Sequence, residues 1–257
     1  MLLPKQTNTY FNLFKSAIAA FAIPSSLHLI KGNSAPHELC TLAAKELQQH
    51  LQTQTDWEHN FGLADQTNEN IIGKMFGVLV VQNSQNQIGY LAAFSGKLAG
   101  GNHHQKFVPP VFDLLTEDSF LHQGMQKLTT LIDEINQLES DSPKNQSRIK
   151  QLKAERKQHS INLQQQIFTH YNFINQKQES KNILAIFKTA KYKNPPAGAG
   201  ECAGPKLLQY AFQHQLKPLA LAEFWWGQSP KSATWKHGHF YACCKEKCEP
   251  ILAHMLS

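Results

Sequence analysis

Four of the five cysteines in this 257-residue chain fall in its last quarter: Cys202, Cys243, Cys244 and Cys248. Thiolates are soft ligands that suit zinc, which favours a tetrahedral set of sulfur and nitrogen donors. Cys244 and Cys248 are four residues apart, a spacing that puts two side chains on one face of a helix. Cys202 stands at the predicted start of another helix, where unpaired backbone amides and the macrodipole favour a thiolate. Cys202, Cys244 and Cys248 are therefore the expected zinc ligands, and His239, with His237 beside it, is the candidate for the fourth position. Cys243, as the immediate neighbour of Cys244, points elsewhere. The spacing alone is equally compatible with buried free cysteines acting as small hydrophobes, or with a redox pair. The nearest acid is Glu201, the candidate catalytic group for moving protons beside a metal. Glu223 is a second acid that could face the same pocket from an intervening strand.

The elements that must position these residues can be read from periodicity. Residues 36–51 predict a helix, with Leu39, Leu42, Ala43, Leu47 and Leu51 at helical spacing. Residues 74–81 predict a strand, 83–86 a turn, and 87–95 a returning strand, which together make a hairpin. Gly96, Gly100, Gly101 and Pro109-Pro110 then break the chain. Ile183 to Ala190 reads as a short helix end or a strand. Residues 205–214 open with Pro at a helix start and predict a helix. Residues 219–226 predict an apolar strand, in which Phe224, Trp225 and Trp226 are expected in the core. Residues 237–241 lead to Cys244, and 248–256 predict a closing helix. His37, His103 and His104 are expected at the surface. The 197–200 loop is Gly-rich but lacks the Lys-Ser/Thr of a phosphate-binding loop, so no nucleotide cofactor is expected.

Between these halves the pattern changes. Leu121, Met125, Leu128, Leu131, Ile132, Ile135 and Leu138 mark one apolar seam, and Ile149, Leu152, Leu163, Ile167, Tyr171 and Ile174 a second. With a polar turn at residues 141–145 between them, they predict an antiparallel helical hairpin. Lys150, Lys153, Arg156 and Lys157 line its outer face. They are either a solvated surface or an RNA-binding arm.

Composition bounds the alternatives. Hydrophobic residues make up 41% and charged residues 17%, which excludes collagen-like and fully disordered chains. A mean hydropathy of −0.41 and the lack of a long apolar run argue against a membrane span. The patch Ala17–Ile23 is too short and too interrupted for a secretory signal, so a cytoplasmic location is expected, where clustered thiols mean metal or redox chemistry rather than disulfides. The net charge of +6 rests almost wholly on lysine, since Arg148 and Arg156 are the only arginines. Phosphate contact is thus more plausible than base-edge readout by paired arginines.

The order of strand hairpin, helix beginning at Cys202, strand, and helix beginning at Cys244 and Cys248 resembles the core of the zinc-dependent nucleobase deaminases. That resemblance implies zinc on the cysteines and a glutamate two residues after the first ligand, which shuttles protons. This chain departs from the pattern: Gly204 stands there, and the closing pair is C-x3-C rather than C-x2-C. Without a positioned acid, proton transfer loses roughly 10²- to 10⁴-fold in rate. The expected fold is α/β, with a mixed sheet of the α+β kind: a deaminase-like core interrupted by the helical hairpin. The segments are 1–34 at the N-terminus, 35–111 as the first half of the core, 112–190 as the hairpin, and 191–257 as the second half with the cysteines.

A longer resemblance rests on ordered stretches: A-P-H-E-L-C-T-L-A-A-K-E-L from Ala35, G-K-M-F-G-V-L from Gly73, G-Y-L-A-A-F-S-G from Gly89 and F-V-P-P-V-F-D-L-L from Phe107. It continues in P-P-A-G-A-G-E-C-A-G-P-K-L-L-Q-Y-A from Pro195, L-K-P-L-A-L-A-E-F-W-W-G from Leu216, H-G-H-F-Y from His237 and C-K-E-K-C-E-P-I-L-A-H-M-L from Cys244. These resemble the long N-terminal region of a branch of bacterial RluA-type RNA pseudouridine synthases. The resemblance implies an accessory module of RNA pseudouridine synthesis, with RNA and a separately encoded synthase domain as expected partners. The family's catalytic His-Arg-Leu-Asp motif does not occur in these 257 residues, so no synthase residue carries over. The alternatives of different class are a zinc-dependent nucleobase or nucleoside deaminase and a structural interaction module.

Overall fold

The computed structural model describes residues 9–63, 72–116, 119–141 and 145–257. Its centre is a pair of long antiparallel strands, β3 (Lys74–Gln82) and β7 (Lys217–Trp226), with β4 (Ile88–Phe94) hairpinned onto β3. Three strands of only two residues complete the sheet. β1 (Asn12–Leu13) pairs antiparallel with β4, β2 (His28–Leu29) pairs parallel with β7, and β8 (Phe240–Tyr241) pairs antiparallel with β7. The order is β1-β4-β3-β7-β2, with β8 also on β7, so the sheet is mixed and the fold is α/β. The N-terminal segment is thereby part of the sheet: its two short strands cover opposite edges. Strands this short leave no alternation to read, and the sequence does not announce them.

Period-two alternation divides the sheet between two cores. Phe76, Val78 and Val80 face α1 (Glu38–Thr53), whose Leu39, Ala43, Ala44 and Leu47 are fully buried. The helix starts after Pro36 because His37 caps it, its Nδ1 accepting from the Leu39 N–H at 3.2 Å. Leu79, Val81, Leu91 and Leu221 face the other way, toward α4 (Ile183–Lys188), α5 (Ala203–Gln213) and α6 (Glu249–Met255). Asn182 caps α4, which settles residues 183–188 as helix. A Cβ at Gly77 would lie 2.9 Å from the Ala203 Cβ and 3.0 Å from Leu207 Cδ1. Only glycine there lets the start of α5 sit flat on β3, opposite Glu223 in the register of β7.

α2 (Phe120–Asp141) and α3 (Gln146–His170) lie antiparallel, tied by Arg148–Glu134, Lys153–Glu139 and Lys127–Glu155 ion pairs and joined by a small core of Leu131, Ile135 and Leu152. Residues 142–144 of the expected turn lie outside the described residues. Neither expected seam is wholly buried. Met125 and Ile132 are exposed, because one partner helix covers only one face. Tyr171 and Ile174 lie beyond α3: Tyr171 caps it, and Ile174 ends β5 (Asn172–Ile174), which pairs with β6 (Ser180–Asn182). No helix among the described residues is long and apolar enough to cross a membrane.

Candidate metal centre

Cys202 is the N-cap of α5, in extended backbone, and Cys248 is the N-cap of α6. Cys244 precedes α6 rather than belonging to it. The Cys248 and Glu249 N–H groups both donate to the Cys244 carbonyl, at 3.2 and 3.1 Å, and this single turn brings the two thiols together. The Sγ atoms of Cys244 and Cys248 lie 3.3 Å apart, and those of Cys202, Cys244 and Cys248 all lie within 4.8 Å of one another. Thiolates bound tetrahedrally at 2.3 Å stand ~3.8 Å apart, so three such sulfurs are close enough to hold a metal ion. The thiols share their charge unevenly. Hydrogen bonds shared with Cys202 and Cys248 hold the Cys244 thiol well below its usual range, while those that Cys248 shares with Cys202 and Cys244 push its thiol up.

These cysteines border a pocket of about 500 Å³ whose walls include Met75, Trp225, Trp235 and Glu223. Glu223 is buried under the start of α5. Its Oε1 accepts from the Gly204 N–H at 2.9 Å, and the Cys243 thiol also donates to it. A Cβ at Gly204 would stand 3.5 Å from both Glu223 Oε1 and Cys243 Sγ. The side-chain space that position 204 leaves open is therefore bordered by a carboxylate arriving from β7.

Other expected site residues lie elsewhere. His239 is exposed: its carbonyl accepts from the Trp225 N–H, and its ring is outside the sulfur cluster. His237 Nδ1 accepts from the Gly227 N–H at 2.9 Å. The reason is the β7–β8 connection, in which the backbone of Gly238 and His239 closes onto Trp225 and the His237 ring onto Gly227. Glu201 does not border the thiol pocket. Its Oε2 lies 3.4 Å from Lys206 Nζ, and the rest of its side chain lines a separate cavity. Lys206, only 3% exposed, also donates to the Phe94 and Gly96 carbonyls at 3.3 Å. The signal for it was present: it is the one charged residue in α5. On the hairpin, Lys150, Lys153 and Lys157 are exposed and Arg156 is half-buried, with Lys153 Nζ 2.6 Å from Glu139 Oε1. His37 and His104 are half-buried, and each holds backbone, at Leu39 and Leu98; His103 is exposed and pairs with Asp113.

No protein-family model, no curated protein and no solved structure matches this chain. Three sulfurs offer a soft metal ion three bonds, and a buried carboxyl stands on the same pocket.

Burial pushes the Glu223 carboxyl up to about 7 from an ordinary 4.5, with the Gly204 N–H and the Cys243 thiol pulling the other way. A raised carboxyl favours the folded state most where both states are protonated. In the metal-free protein this contribution is full below pH 4.5 and is lost as pH rises through 7. The expected loss is up to roughly 3 kcal/mol. Urea melts between pH 4.5 and 8 should show this fall, and Glu223→Gln should flatten it.

Proposed function

We propose that the chain is a zinc-binding accessory module of RNA modification, acting in the cytoplasm beside a pseudouridine synthase. The observation that carries the metal part is the meeting of Cys202 with Cys244 and Cys248 from forty residues away in sequence. The RNA part rests on the ordered segments that resemble the N-terminal region of RluA-type synthases, and on a net charge of +6 carried by lysines. Lysine–phosphate contact releases counterions and makes binding depend steeply on salt.

A second reading is favoured by the position of Glu223: a deaminase-like hydrolytic centre. Zinc, when bound there, would supply Lewis-acid activation of water. The chain's own contribution is Glu223, held by Gly204 and Cys243 and raised to near neutrality, so that it can both take up and release a proton. This assigns the proton-carrying role to Glu223 in place of Glu201, which is engaged with Lys206.

One purified preparation tests both readings. Equimolar zinc, and retention on a synthetic single-stranded RNA that weakens steeply with salt, are the expected results. Absence of zinc, or absence of RNA binding at low salt, sinks the leading proposal. Ammonia release from cytidine or adenosine that is lost in Glu223→Gln and kept in Glu201→Ala would establish the second reading. Zinc-loaded protein that releases no ammonia from either would remove it.

A further inference from the structure

All five cysteines are free thiols, and Cys202, Cys244 and Cys248 meet at the metal centre. Two of these are not placed independently. The Cys248 N–H donates to the Cys244 carbonyl at 3.2 Å, an i to i+4 turn that sets the two Cα atoms roughly 6 Å apart. A disulfide spans Cα separations of about 4.4–6.8 Å, so this turn can carry one without backbone movement. The side chains already face each other. Their Sγ atoms stand 3.3 Å apart, nearer than the ~3.8 Å that a tetrahedral zinc sets.

The surroundings single out the same pair. Cys244 is half-buried and borders the pocket of about 500 Å³, so a small oxidant reaches it, while Cys248 is almost wholly buried. An accessible thiol beside a resolving one is the arrangement that turns oxidation into a disulfide. Cys40 packs in the core under α1, Cys243 donates to Glu223, and Cys202 belongs to a separate element, α5.

The geometry points to a peroxide-sensitive switch at this centre: hydrogen peroxide joins Cys244 to Cys248 as a disulfide and so releases the metal. The release rests on the zinc reading above; the disulfide rests on the sulfur geometry alone. The Cys244 thiolate attacks one peroxide oxygen, the O–O bond breaks, and the departing hydroxide takes up a proton as water. The Cys248 thiolate then attacks the sulfur of the sulfenic acid so formed. Its S–O bond breaks, a second hydroxide leaves as water, and the S–S bond closes. Each sulfur gives up one electron, and both peroxide oxygens are reduced to water. Two of the three sulfur donors are spent at once, and Cys202 alone cannot hold zinc.

The test treats the full-length, zinc-loaded protein with equimolar hydrogen peroxide and reads free thiols, chelator-detected zinc and peptide masses. Two thiols should be lost for each zinc released, with Cys244 linked to Cys248. Dithiothreitol should restore the thiols and, with added zinc, the metal. Cys202→Ser should form the same disulfide whether or not it holds zinc, and Cys243→Ser should behave as the parent. Four results each overturn the inference: no thiol loss, a bridge to Cys202 instead, oxidation that dithiothreitol does not reverse, or zinc kept after the disulfide has closed. Protein that holds no zinc before peroxide is added counts against the proposed function and takes the metal release with it. The thiol count and peptide masses of that protein still decide the disulfide.

Discussion

On the proposed zinc-binding function, Cys244→Ser is expected to abolish zinc binding and to lower the unfolding free energy of the zinc-loaded protein by roughly 4 kcal/mol, the linkage for a metal present at a thousandfold its dissociation constant. Cys244 is the substitution of choice because it carries the depressed thiol and shares hydrogen bonds with both other sulfurs. Its carbonyl, which starts the turn into α6, is untouched by the change. The control is Cys243→Ser. That thiol bonds Glu223 and is outside the sulfur cluster, so the variant should keep its metal. Metal content by elemental analysis, with urea melts with and without a chelator, reads both effects. A Cys244→Ser protein that melts like the parent and retains zinc would rule out the thiol site.

Lys206→Met should cost about 3–5 kcal/mol, the usual penalty for breaking a buried ion pair from one side. Burial pushes the Lys206 ammonium down and Glu201 opposes that shift, so the pair is held together by mutual need. Removing the lysine strands the Glu201 carboxylate, one of whose oxygens already lacks a partner, and frees the Phe94 and Gly96 carbonyls. The double variant Lys206→Met with Glu201→Gln should recover a large part of the loss, because it removes the stranded charge. Chemical denaturation of the four proteins of this cycle measures the coupling; additive losses would show that the pair is not coupled.

The readable parts of this fold are those with sustained periodicity. The apolar spacing of α1, the β3–β4 hairpin with its Asn83–Asn86 turn and the apolar run of β7 all lie close to their expected positions. The three cysteines were legible because their partners are set by helix starts. The roles of the two glutamates were not. Glu201 looked close to Cys202 because sequence distance is short there, yet the turn into α5 sends its side chain to Lys206. Glu223 does face the thiol pocket from its strand, as its place in the apolar run suggested, but its exact position is set by the pairing of β7 with β3, which puts Glu223 opposite Gly77. A register of that kind is a tertiary fact, and no local pattern carries it. His239 failed as a ligand for the same reason: its position is decided by the β8 pairing.

The two-residue strands have one more consequence. Long bare sheet edges are templates for self-association, and here both edges are interrupted. β4 is partly covered by β1, while the outer edge of β7 meets β2 running parallel at Ala220–Leu221 and β8 running antiparallel at Glu223–Phe224. An incoming strand cannot continue both directions, so that edge offers no consistent template. Because β1 and β2 belong to one N-terminal segment, residues 12–29 guard the two sides of the sheet together. Proteolytic loss of that segment would bare the β4 edge and the stretch of the β7 edge that β2 covers, leaving β8 in place, and would open both sides of the sheet to strand addition.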